Sequence, residues 1–158
     1  MLTAPGAEVD PTNGDIVASN SFGGAFVTFT AGQMGNVAPV RAFTPQGVGN
    51  AQGWALGATA IAITNPGQGV SFFDRQATGT PSPIGTLDGT TFGLSYPGAI
   101  YIDETSTPTL IYVVDFGSNA IHVLEVSGTE PNYTITTMRT ISGPSTMLSA
   151  PIGLAVVH

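Results

Sequence analysis

The sequence predicts an all-β fold built from repeated units of four short antiparallel strands. Short apolar segments with period-two alternation recur along the 158 residues, and the turns between them are rich in Gly, Pro, Asn and Ser. The chain contains 21 glycines and 12 prolines, a density that does not permit long helices. Hydrophobic residues make up 42% of the chain, which is enough for the core of one domain spanning residues 1–158.

The chain repeats itself at intervals that match the size of one such unit. Residues 36–43 align with residues 80–87 without gaps at an offset of 44, and residues 133–141 form a looser third copy. The sequence Leu94-Ser95-Tyr96-Pro97-Gly98 has counterparts that begin at Leu2 and Leu148. These matches divide the chain into units 2–43, 44–93 and 94–147, followed by residues 148–158 as the start of a fourth unit, with one strand over 152–157. A period of about 44 to 54 residues is typical of the blades of a β-propeller.

Each unit predicts strands at similar places, although the second unit is the least regular. In unit one we expect strands over residues 7–9, 15–19, 25–30 and 37–43. In unit two the middle strands cover 59–63 and 70–74, and a first strand lies somewhere within 49–56. In unit three the strands cover 99–103, 110–114, 120–126 and 133–141. No segment predicts a helix longer than one turn. Arg41 and Arg139 fall at equivalent positions of the outermost strands, where we expect them to be at least partly exposed to solvent.

Unit three carries a series of motifs in a fixed order. Pro97-Gly98 opens an apolar strand that ends in Asp103. Ile111-Tyr112-Val113 then leads to Asp115, a Gly/Asn turn and the strand Ile121-His122-Val123. These motifs resemble the NHL-type β-propeller repeats and their bacterial relatives. Unit one matches through its own Pro-Gly pair and strand-ending Asp, and unit two matches more weakly. The resemblance implies four-stranded blades around an axis, each burying its faces against its neighbours.

Three units and one strand predict an incomplete ring, because closed propellers have at least four blades. Three explanations stay open: the chain is part of a longer one, it completes the ring with another subunit, or the fold is an open or different β-fold. A bare apolar face at each end of the stack favours self-association. The simplest closed form is a homodimer with six blades, in which the strand 152–157 is exchanged between copies.

Composition excludes several classes of partner. The net charge is −7, with three arginines and no lysine, so we expect no nucleic-acid binding. No window of 18 apolar residues exists, so we expect no membrane insertion by a helix. The lack of cysteine excludes disulfides and thiol catalysis. Only 8% of residues are charged, and together with the abundance of Thr, Ser and Gly this favours an extracellular or cell-surface protein.

Few side chains have the character of a site, and each also has a structural interpretation. Trp54, in a Gly-rich stretch, either stacks on a sugar or packs in the core. Asp103 and Asp115 end strands, where they either cap turns or form a ring of acceptors that could hold Ca²⁺. His122 and His158 stand apart and predict neither a metal site nor a catalytic triad. We therefore expect a non-catalytic binding or scaffolding module without a cofactor, on a cell surface or a virion, whose ligand is a carbohydrate or a protein.

The alternative is an enzyme. Propeller hydrolases of the gluconolactonase type hold a divalent metal with Glu, Asn and Asp from different blades, and similarity to them implies the set Glu8, Asn20 and Asp115. In this interpretation the chain is a fragment or subunit of a metal-dependent hydrolase. The sequence carries no nucleophile elbow, P-loop or HExxH motif, so we favour the non-catalytic function.

Overall fold

In the part of the chain that the structure describes, the strands form three antiparallel sheets of four strands each, which follow one another along the chain. The computed structural model describes residues 6–20, 24–49, 51–129 and 132–157. The first sheet contains β1 (Ala7–Val9), β2 (Ile16–Ser19), β3 (Phe26–Phe29) and β4 (Arg41–Phe43). The second contains β5 (Trp54–Leu56), β6 (Ala60–Asn65), β7 (Gly69–Asp74) and β8 (Gly85–Asp88). The third contains β9 (Pro97–Asp103), β10 (Thr109–Asp115), β11 (Ala120–Thr129) and β12 (Asn132–Ile141). In every sheet the strands lie side by side in chain order, which confirms the predicted four-stranded units.

The middle sheet buries an apolar face on each side, because successive side chains of a strand point to opposite faces. In β6, Ile61 and Ile63 belong to the core shared with the first sheet, where the ring of Phe26 stacks on that of Phe43 at 5.0 Å. Ala62 belongs instead to the core shared with the third sheet. Each sheet therefore completes a core of its neighbour.

The second and third sheets approach closely through a glycine. A Cβ atom on Gly53 would lie 2.4 Å from the carbonyl oxygen of Gly98, so only glycine fits there. The hydroxyl of Thr64 donates to the same carbonyl at 2.8 Å. This contact brings the first strands of the two sheets together.

One strand is shorter than the sequence predicts, and the helical content agrees with the prediction of no helix longer than one turn. Strand β4 begins at Arg41 and not at residue 37, because Pro39 has no N–H to donate and Gly32 and Gly35 adopt positive φ in the preceding loop. A single helical turn, α1 (Gly89–Phe92), follows β8, and the side chain of Asp88 caps it by accepting from the N–H of Thr90. Among the described residues, no helix has the length and apolar character of a membrane span.

The prediction of a strand over residues 152–157 is wrong. Residues 151–157 form no strand, and among the described residues no strand lies beside them. Since a strand needs a neighbour to satisfy its N–H and C=O groups, this segment stays irregular. It is fixed at its start, where the N–H of Ala150 donates to Asn119 Oδ1 at 2.7 Å. The predicted exposure of Arg41 and Arg139 is confirmed, since the first is half-buried and the second exposed on outermost strands. Their predicted equivalence is wrong: Arg41 pairs with Thr28 on the face toward the second sheet, whereas Arg139 pairs with Val123 on the face away from it.

Candidate functional site

The turns that follow the first strand of each sheet, which we call the first turns, cover residues 10–15, 57–59 and 104–108. In the first sheet, Asp10 accepts from the N–H of Thr12 at 2.8 Å and from its hydroxyl at 2.6 Å. In the third sheet, Asp103 accepts from the hydroxyls of Thr105 and Ser106 at 2.6 and 2.7 Å. The hydroxyl of Thr105, followed by that of Ser106, lowers the pKa of Asp103 to about 2. Both carboxylates therefore stabilise turns.

The three first turns are also linked to one another. Arg75, which follows β7, forms a buried ion pair with Asp10 of the first sheet. Its other guanidinium nitrogen, Nη1, donates to the carbonyl of Gly57 at 3.0 Å. Across the next boundary, the N–H of Ala58 donates to both carboxylate oxygens of Glu104, at 2.8 and 3.0 Å. One chain of polar contacts thus ties all three sheets at this end of the molecule.

A groove of about 620 Å³ opens between the second and third sheets, next to these turns. Apolar side chains from both sheets line it: Phe72, Ile84, Ile102, Ile111, Val126 and Ile135. Its rim is polar and includes Asp74, Thr86, Glu104 and Thr109. Sequence reasoning missed this groove, because it depends on how two connections of unequal length fold back.

Asp115 fastens the segment before β9 to the end of β10. Its side chain is fully buried and accepts from the N–H groups of Ser95 at 2.6 Å, Tyr96 at 2.7 Å and Gly117 at 2.9 Å. Burial acts to raise the pKa of Asp115, but the N–H donors, led by Ser95 and Tyr96, outweigh it, so the pKa lies below its usual value. Both carboxylate oxygens of Asp115 therefore accept hydrogen bonds that hold the backbone in place.

A histidine lies beside Asp115, in an arrangement that sequence reasoning missed. His122 Nε2 lies 3.4 Å from Ser118 Oγ and 3.9 Å from Asp115 Oδ2, and its Nδ1 lies 3.5 Å from Thr140 Oγ1. A catalytic triad places the nucleophile and the carboxylate on opposite ring nitrogens, whereas here both face Nε2. Burial lowers the pKa of His122, and the negative charge of Asp115 opposes this only in part. The signal in the sequence was the spacing of Asp115, Ser118 and His122 around one turn.

A smaller cavity of about 200 Å³ lies where the first strands of the three sheets meet. Glu8 and Trp54 line it. Glu8 Oε2 accepts from the N–H of Leu56 at 2.9 Å, and burial raises the pKa of Glu8. The indole of Trp54 is only 7% exposed, lies edge-on to Phe26, and donates to Ser19 Oγ at 3.1 Å. Of the two interpretations for Trp54, these contacts favour core packing.

The three residues of the implied metal set lie at different places. Only Glu8 lines the small cavity, Asp115 ends β10, and Asn20 follows β2, where its N–H donates to the carbonyl of Ala25 at 2.7 Å. Within the described ranges, no group of three or more His, Cys, Asp or Glu side chains is placed to hold a metal ion. The metal set stays a prediction.

Comparison with known proteins identifies the fold. No family model and no curated protein matches the chain. Among solved structures, the crystal structure of Hsv2 from Kluyvelomyces marxianus, a seven-bladed β-propeller, matches with a TM-score of 0.50 at 12% sequence identity. The match covers 85% of this chain but only 44% of that one, a share close to three blades of seven. The three sheets are therefore blades of a β-propeller, and the chain spans less than half the length of that relative.

Proposed function

We propose that this chain is a non-catalytic propeller module that binds or scaffolds other molecules, built from NHL-type repeats and located on a cell surface or a virion. The contacts of Trp54, Asp103 and Asp115 support structural roles for these side chains. The motifs of the third unit support the repeat type, and the low content of charged residues supports the location. The observation that carries the proposal is the pair of apolar sheet faces at the two ends of the blade stack.

The outer face of the first blade, which points away from the second blade, is apolar. Val9 pairs with Ile16, and Ile16 pairs with Phe29, so these side chains lie in one row on this face. Val9 is 64% exposed and Ile16 is 39% exposed. Ala18 and Val27 form a second pair beside this row. In a complete propeller, such a face is covered by another blade.

The outer face of the third blade is apolar as well. Tyr101 pairs with Tyr112, and their rings lie 6.3 Å apart. Ile121 pairs with Ile141, which is 43% exposed, on the same face. On this face Val114 and Val123 are already buried, so its exposed part lies around Ile141. Soluble monomers seldom leave contiguous apolar patches of several hundred Å² open, so the first face above all favours a neighbouring blade. That blade belongs to a second copy or to further units of a longer chain, and the simplest closed form is a six-bladed homodimer.

Light scattering coupled to size exclusion tests the homodimer. We expect a mass of twice the 16.0 kDa of one chain. The variant Val9→Glu places a charge on the outer face of the first blade and should shift the mass to that of a monomer. The variant Met34→Glu, at an exposed loop position outside the row of paired strand residues on this face, should leave the dimer intact. A sharp 16.0 kDa peak for the unmodified chain, with cooperative unfolding, would refute the dimer.

The metal-dependent hydrolase of gluconolactonase type is the second candidate. One observation favours it: Glu8 carries a half-buried carboxylate in the small cavity where the first strands meet. Its pKa is raised by burial, and a bound cation would offset that cost. The effect of added metal on thermal stability, described in the Discussion, separates the two candidates.

A further inference from the structure

The outer edge of β4 in the first blade is covered by a piece of the second blade. Residues 77–82, which we call the covering segment, run parallel to β4 with a bridge between Phe43 and Gly79. The N–H of Gly79 donates to the carbonyl of Ala42 at 3.1 Å, and the N–H of Thr44 donates back to Gly79 at 2.7 Å. The N–H of Gln46 donates to the carbonyl of Pro81 at 3.0 Å. The covering segment therefore acts as an added strand.

Side chains strengthen the attachment of the covering segment. Ala77 packs against the core shared by the first and second blades. Next to it, the Gln76 side chain accepts from the guanidinium of Arg41. At the far end, the hydroxyl of Ser82 donates to Gln46 Oε1 at 2.7 Å. An apolar anchor and flanking polar contacts thus accompany the main-chain bonds.

Strand β8 of the second blade is the counterpart of β4. The bond from the N–H of Val40 to Thr28 in the first blade recurs 44 residues later, from Ile84 to Phe72, and both measure 2.8 Å. By the same offset, the edge residue Ala42 corresponds to Thr86. The outer edge of β8 therefore has the orientation that receives the covering segment on β4.

No covering segment reaches β8 within the described part of the chain. In the second blade, residues 75–84 connect β7 to β8 and supply the covering segment for β4. In the third blade, β11 and β12 instead form a long hairpin that stays paired as far as Thr129 and Asn132. Among the described residues, no strand or bridge pairs with the outer edge of β8. The groove of about 620 Å³ lies beside this edge.

The lining of the groove defines the chemistry of its occupant. Phe72 forms part of the floor, and Val126 and Ile135, which pair across the hairpin, form the opposite wall. This apolar space is large enough for a branched side chain. Between the first and second blades, the equivalent place is filled only by the methyl group of Ala77. The rim carries the carboxylates of Asp74 and Glu104, and the nearby arginine is already paired with an aspartate of the first blade. The rim therefore favours a basic residue.

We propose that this groove binds an extended peptide segment of a partner protein, which adds to the outer edge of β8 as a parallel strand. The peptide places an aliphatic side chain between Phe72 and Ile135 and a basic residue near Glu104. The covering segment on β4 is the intramolecular precedent for this arrangement. Strand addition supplies affinity through main-chain bonds, while the pocket and the rim supply specificity. The inference rests on the proposed function as a binding module and names the partner class of one site.

A synthetic peptide that copies the covering segment tests the proposal. The probe is fluorescein-labelled Lys-Leu-Thr-Gly-Thr-Pro-Ser-Pro, which follows residues 76–83 with Lys and Leu in place of the first two residues. Fluorescence polarisation should show saturable binding to the full chain. The same peptide with an N-methylated glycine lacks the donor that Gly79 uses and should bind about tenfold more weakly or worse, although the protein is unchanged. Replacing the lysine by glutamate should also weaken binding, and added salt should reduce that difference.

Protein variants locate the site. Ile135→Glu charges the groove wall and should reduce affinity for the probe by about tenfold or more. Met138→Glu, on the same strand but 53% exposed and outside the groove, should bind like the unmodified protein. A scrambled peptide that binds equally well, or an N-methylated peptide that loses nothing, overturns the proposal. These results are separable from the dimer, because the groove lies away from the outer faces and the mass is measured independently.

Discussion

The guanidinium of Arg75 in the second blade forms an ion pair with the carboxylate of Asp10 in the first blade, and both side chains are buried. The same guanidinium donates to the carbonyl of Gly57, which lies in the first turn of its own blade. Two blades are thus joined by one cation with acceptors on both sides. Because a buried charge without a partner is costly, this pair favours the arrangement in which the two blades meet at their first turns.

Replacing Arg75 should destabilise the protein strongly. The variant Arg75→Met leaves the carboxylate of Asp10 buried without its partner, and we expect a loss of about 3 to 5 kcal/mol in the free energy of unfolding. Urea unfolding followed by tryptophan fluorescence measures it. The matched control Arg139→Met removes an exposed cation and should change stability by no more than about 0.5 kcal/mol. In the double variant Arg75→Met/Asp10→Asn, much of the lost stability should be recovered, because the unpaired carboxylate is gone. Equal stability of Arg75→Met and Arg139→Met would contradict this account.

Adding one methyl group at Gly53 should separate the second and third blades. In Gly53→Ala the new Cβ would lie 2.4 Å from the carbonyl oxygen of Gly98, so the first strands must move apart. Overpacking of this kind costs about 1 to 3 kcal/mol, which thermal unfolding by circular dichroism can resolve. Gly49→Ala is the control, because its Cβ meets nothing within 4 Å. Equal melting temperatures of the two variants would contradict the close contact between the second and third blades.

Acid should weaken the protein through His122. Its pKa in the folded state lies below the value of about 6.5 expected in the unfolded chain, mainly because it is buried. The unfolded state therefore binds more protons, and stability is lost as the pH falls through about 6.5 toward the lower folded value. The groups that face the ring are Asp115, Ser118 and Thr140. We expect His122→Gln to flatten the pH dependence of the unfolding free energy between about pH 8 and 5, and an unchanged slope would assign the effect to other groups.

Added metal should leave the melting temperature unchanged under the proposed non-catalytic function. A cation that binds only the folded state raises the melting temperature with its concentration, so millimolar Ca²⁺ or micromolar Zn²⁺ would reveal a site. Differential scanning fluorimetry makes the comparison. A rise that disappears in Glu8→Gln but persists in Asp74→Asn, which alters a carboxylate on the groove rim, would favour the hydrolase.

Local patterns predicted most of the strands, because most of them carry their own signal in the sequence. The alternation around Ile121 and Val123, and the turn chemistry of Asp103, depend only on neighbours in the chain. Strand β5 was predicted only to lie somewhere within 49–56, since three residues are too few for a clear alternation. The predicted length of β4 was too great, because the apolar residues before Arg41 suggested a strand where the proline and glycines of the loop prevent one.

The long-range contacts of the site had no such local signal. Arg75 looks like one of three scattered cations in the sequence, and its partner Asp10 lies 65 positions away. The groove depends on the difference between a connection over residues 75–84 and a tight hairpin in the next blade, and that difference becomes a cavity only once the blades are stacked. Packing between units, more than the units themselves, limited what the sequence could predict.

Because of the covering segment, the boundaries of the sequence repeats differ from the boundaries of the sheets. By connectivity, residues 77–82 belong to the second unit, yet their main-chain bonds make them part of the first sheet. Cleavage of the chain at residue 43 would separate β4 from the covering segment. The first fragment would then have an uncovered outer edge, and the second would carry a segment without its partner strand. Duplication of the second unit would also duplicate the segment that completes the sheet of the first unit. Such a chain can therefore gain repeats without gaining a unit that folds independently.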